Sequence, residues 1–168
     1  MLTDTIIEDG RWEAVGLVEL TETAAQAALS HLNIDPSGHE IVVMGCDDQR
    51  IMALNDEFRE KAKPTNVLSW PYEDLSAEAD GADPLLPEEE ELGDIAIAFE
   101  TCTQEADEQD KPFAAHVTHL IVHGVLHLIG YDHIRDADAT LMERLEGEIL
   151  GKLGLPDPYR EDDAPTGA

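Results

Sequence analysis

Positive charge is what this chain most lacks. Ten lysines and arginines face 38 acids across 168 residues, a formal net charge of −28 at neutral pH. Phosphate contacts need Lys and Arg, so a protein that merely coats nucleic acid is excluded. Aromatic residues are also scarce, at 5%, which leaves a core of Leu, Ile, Val and Ala. Cys46 and Cys102 stand apart with no CxxC pair, so neither a disulfide framework nor a thiolate metal site is expected. No run approaches the roughly 18 consecutive apolar residues that span a bilayer. Met1–Gly10 lacks the basic-then-apolar pattern of a signal peptide. The expected setting is the cytoplasm, with no membrane association.

The length suits one domain. Strands are expected around Ile6–Ile7, over Glu40–Cys46, over Val67–Trp70 and over Leu92–Phe99. Helical patterns run from Trp12 to Leu32, from Asp47 or Asp48 through Phe58, and over Glu100–Asp110, Phe113–Ile129 and Asp136–Leu153. This order predicts an α+β domain with a small mixed sheet of about four strands packed by helices, over residues 1–153. It leaves the strand order open. Residues 73–91 hold nine acids and two prolines and read as a solvated acidic loop. The Pro- and acid-rich stretch 154–168 reads as a flexible tail.

Histidine is concentrated in one helix. His116, His119, His123 and His127 fall within an arc of roughly 80° at 100° per residue, a polar stripe on an otherwise apolar helix. Gly130 can take the left-handed conformation that ends a helix, so the chain can double back and bring His133 toward His123 and His127. Three imidazoles from a helix and its turn make three corners of a tetrahedral zinc site, with the fourth open. Zinc so held can bring the pKa of a bound water down to about 7, the equipment of a hydrolase.

The spacing His123-x3-His127-x2-Gly130-x2-His133 also matches the ligands and turn of metzincin proteases, in which a glutamate general base follows the first histidine. Gly124 stands there instead, which moves peptide hydrolysis to an alternative. Arg59, Lys61 and Lys63 lie within five residues in a chain of few bases. They are either a local anion site or a solvated helix end complementing the helix dipole.

The chain resembles the YbeY-type metal-dependent endoribonucleases, bacterial rRNA maturation factors. The resemblance is carried by His119-Leu-Ile-Val-His-Gly-Val-Leu-His-Leu-Ile-Gly-Tyr-Asp-His133, by Leu54-Asn55 through Arg59 with Pro64–Pro71, by Leu92–Ile95, and by Met142-Glu143 to Glu146 with Ile149-Leu150. Trp70 stands where Phe is usual and Asn66 where Asp is frequent. The acidic insertion at 73–91 is longer than the pattern requires.

The resemblance implies a zincin-like architecture and one zinc ion on His123, His127 and His133. It also implies a functional role for Arg59, action on single-stranded RNA, maturation of the 16S ribosomal RNA 3′ end, and ribosome quality control. A ribosomal or ribosome-associated protein would then supply the docking surface that so acidic a chain lacks. The alternatives are a zinc peptidase or other hydrolase, or a non-catalytic zinc-bearing protein of the ribosome. Arg59 is expected to stabilise charge on phosphoryl oxygens. Asp132 either orients a ligand imidazole or caps the turn. His119 is either a proton shuttle facing the cleft or a satisfied, partly buried histidine. Asp94 is either a polar group at the sheet edge or part of the pocket wall, and His116 is structural.

Overall fold

β-Branched residues alternating through three short segments build the centre of the molecule. The computed structural model describes residues 2–59, 65–77 and 79–159, with the side chains of residues 58 and 59 excepted. Strands β1 (Thr3–Ile7), β2 (Glu40–Cys46), β3 (Val67–Pro71) and β4 (Glu91–Ala98) form one sheet in the order β1-β2-β4-β3. The first two and β4 are parallel, and β3 runs antiparallel beside β4. The expected mixed, four-stranded α+β domain is what the described residues form.

Alternation gives the sheet two apolar faces. Ile41, Val43, Ile95 and Ile97 point into the larger core with helices α2 (Leu17–His31) and α5 (Phe113–Leu128), on which α6 (Asp136–Lys152) packs in turn. Ala96, Ala98, Cys46 and Leu68 point the other way, onto Ile51 and Leu54 of helix α3 (Asp48–Arg59). Helix α4 (Phe99–Glu108) joins β4 to α5. Each fully buried Ile or Leu of this core contributes about 1.5–3 kcal/mol. Among the described residues no helix is long and apolar enough to cross a membrane.

Two expectations need adjusting. The long helical pattern from Trp12 is broken: α1 (Arg11–Ala14) stops, Gly16 takes a φ of +76°, and α2 begins anew. The acidic stretch after β3 is exposed at Leu85 and Leu86 but anchored elsewhere. Leu75 enters the core, and Asp80 accepts the Asp138 amide at 2.8 Å, capping the first turn of α6. The Arg135 guanidinium donates to the Ala77 carbonyl at 2.8 Å. Residues 160–168 of the expected tail lie outside the described residues.

Candidate metal centre

Helix α5 is apolar on nearly every side, and Val117, Ile121, Val122 and Val125 are fully buried. Of its histidine stripe, His119, His123 and His127 face a cleft bounded by α5, β3, Asn55 of α3 and Tyr159. The helix closes in a Schellman turn, with the Gly130 amide donating to the His127 carbonyl at 3.1 Å and the Tyr131 amide to Leu126 at 3.0 Å. Gly130 has a φ of +107°, and a Cβ there would lie 2.7 Å from the Leu75 backbone. Only glycine fits. The reversal carries His133 back over the helix end.

The three predicted ligands come together. Ligand nitrogens of His123, His127 and His133 all lie within 4.8 Å of one another, and their ring centroids are 4.5, 5.1 and 5.5 Å apart. Hydrogen bonds fix two of the rings. His123 Nδ1 lies 2.8 Å from Glu146 Oε2, and His127 Nδ1 lies 3.0 Å from the Tyr131 carbonyl. A carboxylate and a carbonyl accept, so both Nδ1 atoms donate and both Nε2 atoms carry lone pairs. Those two Nε2 atoms face each other at 3.0 Å. Two lone pairs so placed repel unless a proton or a metal ion lies between them. Nitrogens sharing a tetrahedral zinc ion sit about 3.3 Å apart, so the residues fit a metal ion. Burial first, then the neighbouring imidazoles His123 and His133, push His127 down to about 4, which keeps its ring neutral as a ligand must be.

The third histidine is held differently. His133 is 56% exposed and lies beyond the helix. Asp132 accepts the His133 backbone amide at 2.7 Å but lies 3.8 Å from its Nδ1, too far for a hydrogen bond. Asp132 therefore stabilises the turn rather than orienting the ring.

The cleft, of about 500 Å³, is also lined by Asn55, Asn66, Ser69, His119 and Tyr159. His119 faces it, with Nε2 donating to Glu146 Oε1 at 2.7 Å. His116 is buried behind and bonds Glu105 at 2.9 Å. Gly124 packs on the sheet: an added Cβ would sit 3.1 Å from Ile95 Cδ1, so the position of the metzincin glutamate is occupied by β4. Asp94 is exposed on the far face, in a separate hollow with Trp70 and Tyr72. Arg59 ends α3, but its side chain, like Lys61 and Lys63, lies outside the described residues. Cys46 and Cys102 are buried and free.

Two residues of the site carry no role in the sequence reading. Glu146, 1% exposed on α6, accepts from His119, from His123 and from the Tyr159 hydroxyl at 2.7 Å. Burial alone would raise its pKa; the bonds from His119 and His123 outweigh that and hold it down to about 2. Tyr159 comes from the stretch expected to be a tail. No spacing rule links 146 or 159 to 123. The one available signal for Glu146 is its place on a helix that shares the family pattern.

A family model described as Endoribonuclease YbeY matches residues 7–154. The Endoribonuclease YbeY of Ruegeria pomeroyi is 60% identical over 164 residues, covering 95% of this chain and 98% of that protein. That of Cereibacter sphaeroides is 57% identical over 164 residues, covering 94% and 98%. A Thermotoga maritima protein solved in solution shares the fold, with a TM-score of 0.55 at 20% identity over 95% of this chain and 99% of that one.

Proposed function

The chain belongs to the YbeY endoribonuclease family, and from that premise we propose that it is a metal-dependent endoribonuclease acting on single-stranded RNA. Its task is maturation of the 16S ribosomal RNA 3′ end and ribosome quality control, in the cytoplasm. A ribosomal or ribosome-associated protein provides the docking surface. The observation that carries this reading is the trio of imidazole nitrogens gathered in an open cleft.

One zinc ion is assigned to His123, His127 and His133. When bound, it supplies Lewis acidity toward a phosphodiester or a water molecule. The chain's own residues do the rest. His123 and His127 present Nε2 because their Nδ1 protons are engaged by Glu146 and the Tyr131 carbonyl. Arg59 is assigned to the phosphoryl oxygens, since its planar fork matches two of them and stays charged. Asn55, one turn earlier on α3, lines the cleft, which supports bringing that helix end to the substrate. Gly124 stands where a metzincin peptidase carries its glutamate base, directly after the first histidine, which separates the site from that class.

Incubating the chain with a labelled single-stranded RNA, its duplex and casein, with and without chelator, tests the reading. Cleavage of the single strand alone, abolished by chelator and in H123A, is expected. Casein hydrolysis, or wild-type RNA cleavage by metal-free H123A, contradicts it.

A further inference from the structure

Four imidazoles lie on one stripe of α5, yet only two of them, His123 and His127, gather with His133. His119 lies one turn before His123 on the same stripe, and it is absent from the cluster whose nitrogens approach within 4.8 Å. The difference between His119 and His123 lies in what Glu146 does with each. Its Oε2 takes the Nδ1–H of His123 at 2.8 Å, leaving Nε2 of that ring free. Its Oε1 takes Nε2 of His119 at 2.7 Å, which leaves only Nδ1, an atom buried without a hydrogen-bond partner. One carboxylate therefore turns the outer nitrogen of one ring toward the cleft and ties down the same nitrogen of the other.

We propose that Glu146 is the positioning residue that sorts the histidine stripe, locking His123 as an Nε2 ligand and withholding His119 from the metal. The idea rests on the metal reading above. A ligand imidazole whose second nitrogen donates to a carboxylate is fixed in tautomer and orientation and is made more basic. Glu146 is suited to this because it is 1% exposed and has three donors on two oxygens. It cannot swing away to water without leaving all three unmatched. Tyr159 completes the set: its hydroxyl donates to Oε1 at 2.7 Å, and its ring meets His119 edge-on, with centroids 5.8 Å apart. The charge of Glu146 also offsets part of the charge of a dication held by three neutral ligands.

The consequence is an open site. Were His119 free to present Nε2, a fourth imidazole would compete for the coordination position that a substrate needs. Glutamine at 146 keeps the shape but has one accepting oxygen in place of two and no charge. With that oxygen on His123, its NH2 can only donate, so His119 must switch to its Nδ1–H tautomer, and the carboxylate that makes His123 more basic is gone.

The test uses the full-length chain and zinc, with cobalt(II) as a spectroscopic probe. Zinc affinity, read by competition with a chromophoric chelator, is expected to fall about 10–100-fold in E146Q and further in E146A. Y159F, which leaves both imidazole bonds, is expected to shift it less than about threefold. The cobalt(II) absorption bands should move in the Glu146 variants and stay in place in Y159F. Far-ultraviolet circular dichroism checks that each variant is folded. Should the Glu146 variants not fold, the imidazole 15N spectrum of the zinc-loaded wild type decides. Nε2 coordination with a protonated Nδ1 at His123, and an uncoordinated His119, is the expected pattern. Coordination through Nδ1 of His123, or zinc on His119, overturns the proposal. So does wild-type affinity with unmoved cobalt bands in folded E146Q and E146A, an outcome that leaves the three-histidine site standing. A wild-type chain that binds no zinc overturns both readings together.

Discussion

Helix α5 carries two imidazole–carboxylate networks, and they have opposite fates. In one, His116 bonds Glu105 Oε1 at 2.9 Å and Asn66 Nδ2 donates to that same oxygen at 3.0 Å. This ties α5 to α4 and to the residue before β3. In the other, Glu146 gathers His119, His123 and Tyr159. The pairs are chemically alike. What separates them is the second nitrogen of the ring. In His116 it is Nδ1, buried with no partner, on a ring 4% exposed. In His123 it is Nε2, open to the cleft and facing another imidazole at 3.0 Å. An imidazole–carboxylate pair is thus a fastener where both ends are enclosed and a ligand mount where one end is free.

Substitutions on the two networks should sharpen that contrast. The largest effect is expected in H123A and H127A, where zinc binding falls by more than the roughly 10–100-fold that loss of an orienting partner costs, and RNA cleavage drops to background. Isothermal titration and a cleavage assay read both. G130A comes next. A Cβ at a φ of +107° and 2.7 Å from the Leu75 backbone should cost about 1–3 kcal/mol in denaturant unfolding. It should also weaken zinc binding, because the turn places both the Tyr131 carbonyl and His133.

H116A should show the reverse balance. Leaving Glu105 and Asn66 partly unmatched is expected to cost about 1–3 kcal/mol of stability with zinc affinity unchanged. Equal losses of stability and zinc affinity would break the comparison between the two networks.

The smallest effect concerns a carboxylate in neither network. Glu22 of α2 accepts from the Leu2 and Thr3 amides, the Thr3 hydroxyl and Gln26. Burial pushes its pKa up, but these four bonds outweigh burial and draw it from 4.5 to about 2. A folded pKa below the unfolded one means stability present above the unfolded value and lost as pH falls from about 4.5 toward 2. E22Q should therefore lose about 1–2 kcal/mol at neutral pH and converge on the wild type near pH 2, with zinc affinity at neutral pH unaffected.

The contrast also marks what a sequence reveals. The three gathered histidines are legible because helical periodicity and a turn glycine are local: His123 and His127 share a face by spacing, and Gly130 forces the reversal to His133. The strands and the α+β class follow from alternation and turn residues. The order β1-β2-β4-β3 does not, since a crossover leaves no mark on hydrophobic period. Glu146 and Tyr159 escape for the same reason, lying 23 and 36 positions from His123, on elements that only the fold brings back. Asp132 shows the limit at short range: its side chain could serve ring or turn, and only the 2.7 and 3.8 Å distances separate the two. The acidic stretch reads as solvated by composition, yet Leu75 and Asp80 fasten it, because single residues rather than averages decide docking.

The central proposal is a single zinc site on three histidines, two set by hydrogen bonds and one carried by an exposed turn, with one position open. Zinc-edge X-ray absorption on the full-length, zinc-loaded chain tests this most directly. One zinc per chain is expected, with three imidazole nitrogens at about 2.0–2.1 Å and one exchangeable oxygen neighbour. A fourth imidazole, a carboxylate or a sulfur in that shell, or an absence of bound zinc, would contradict it.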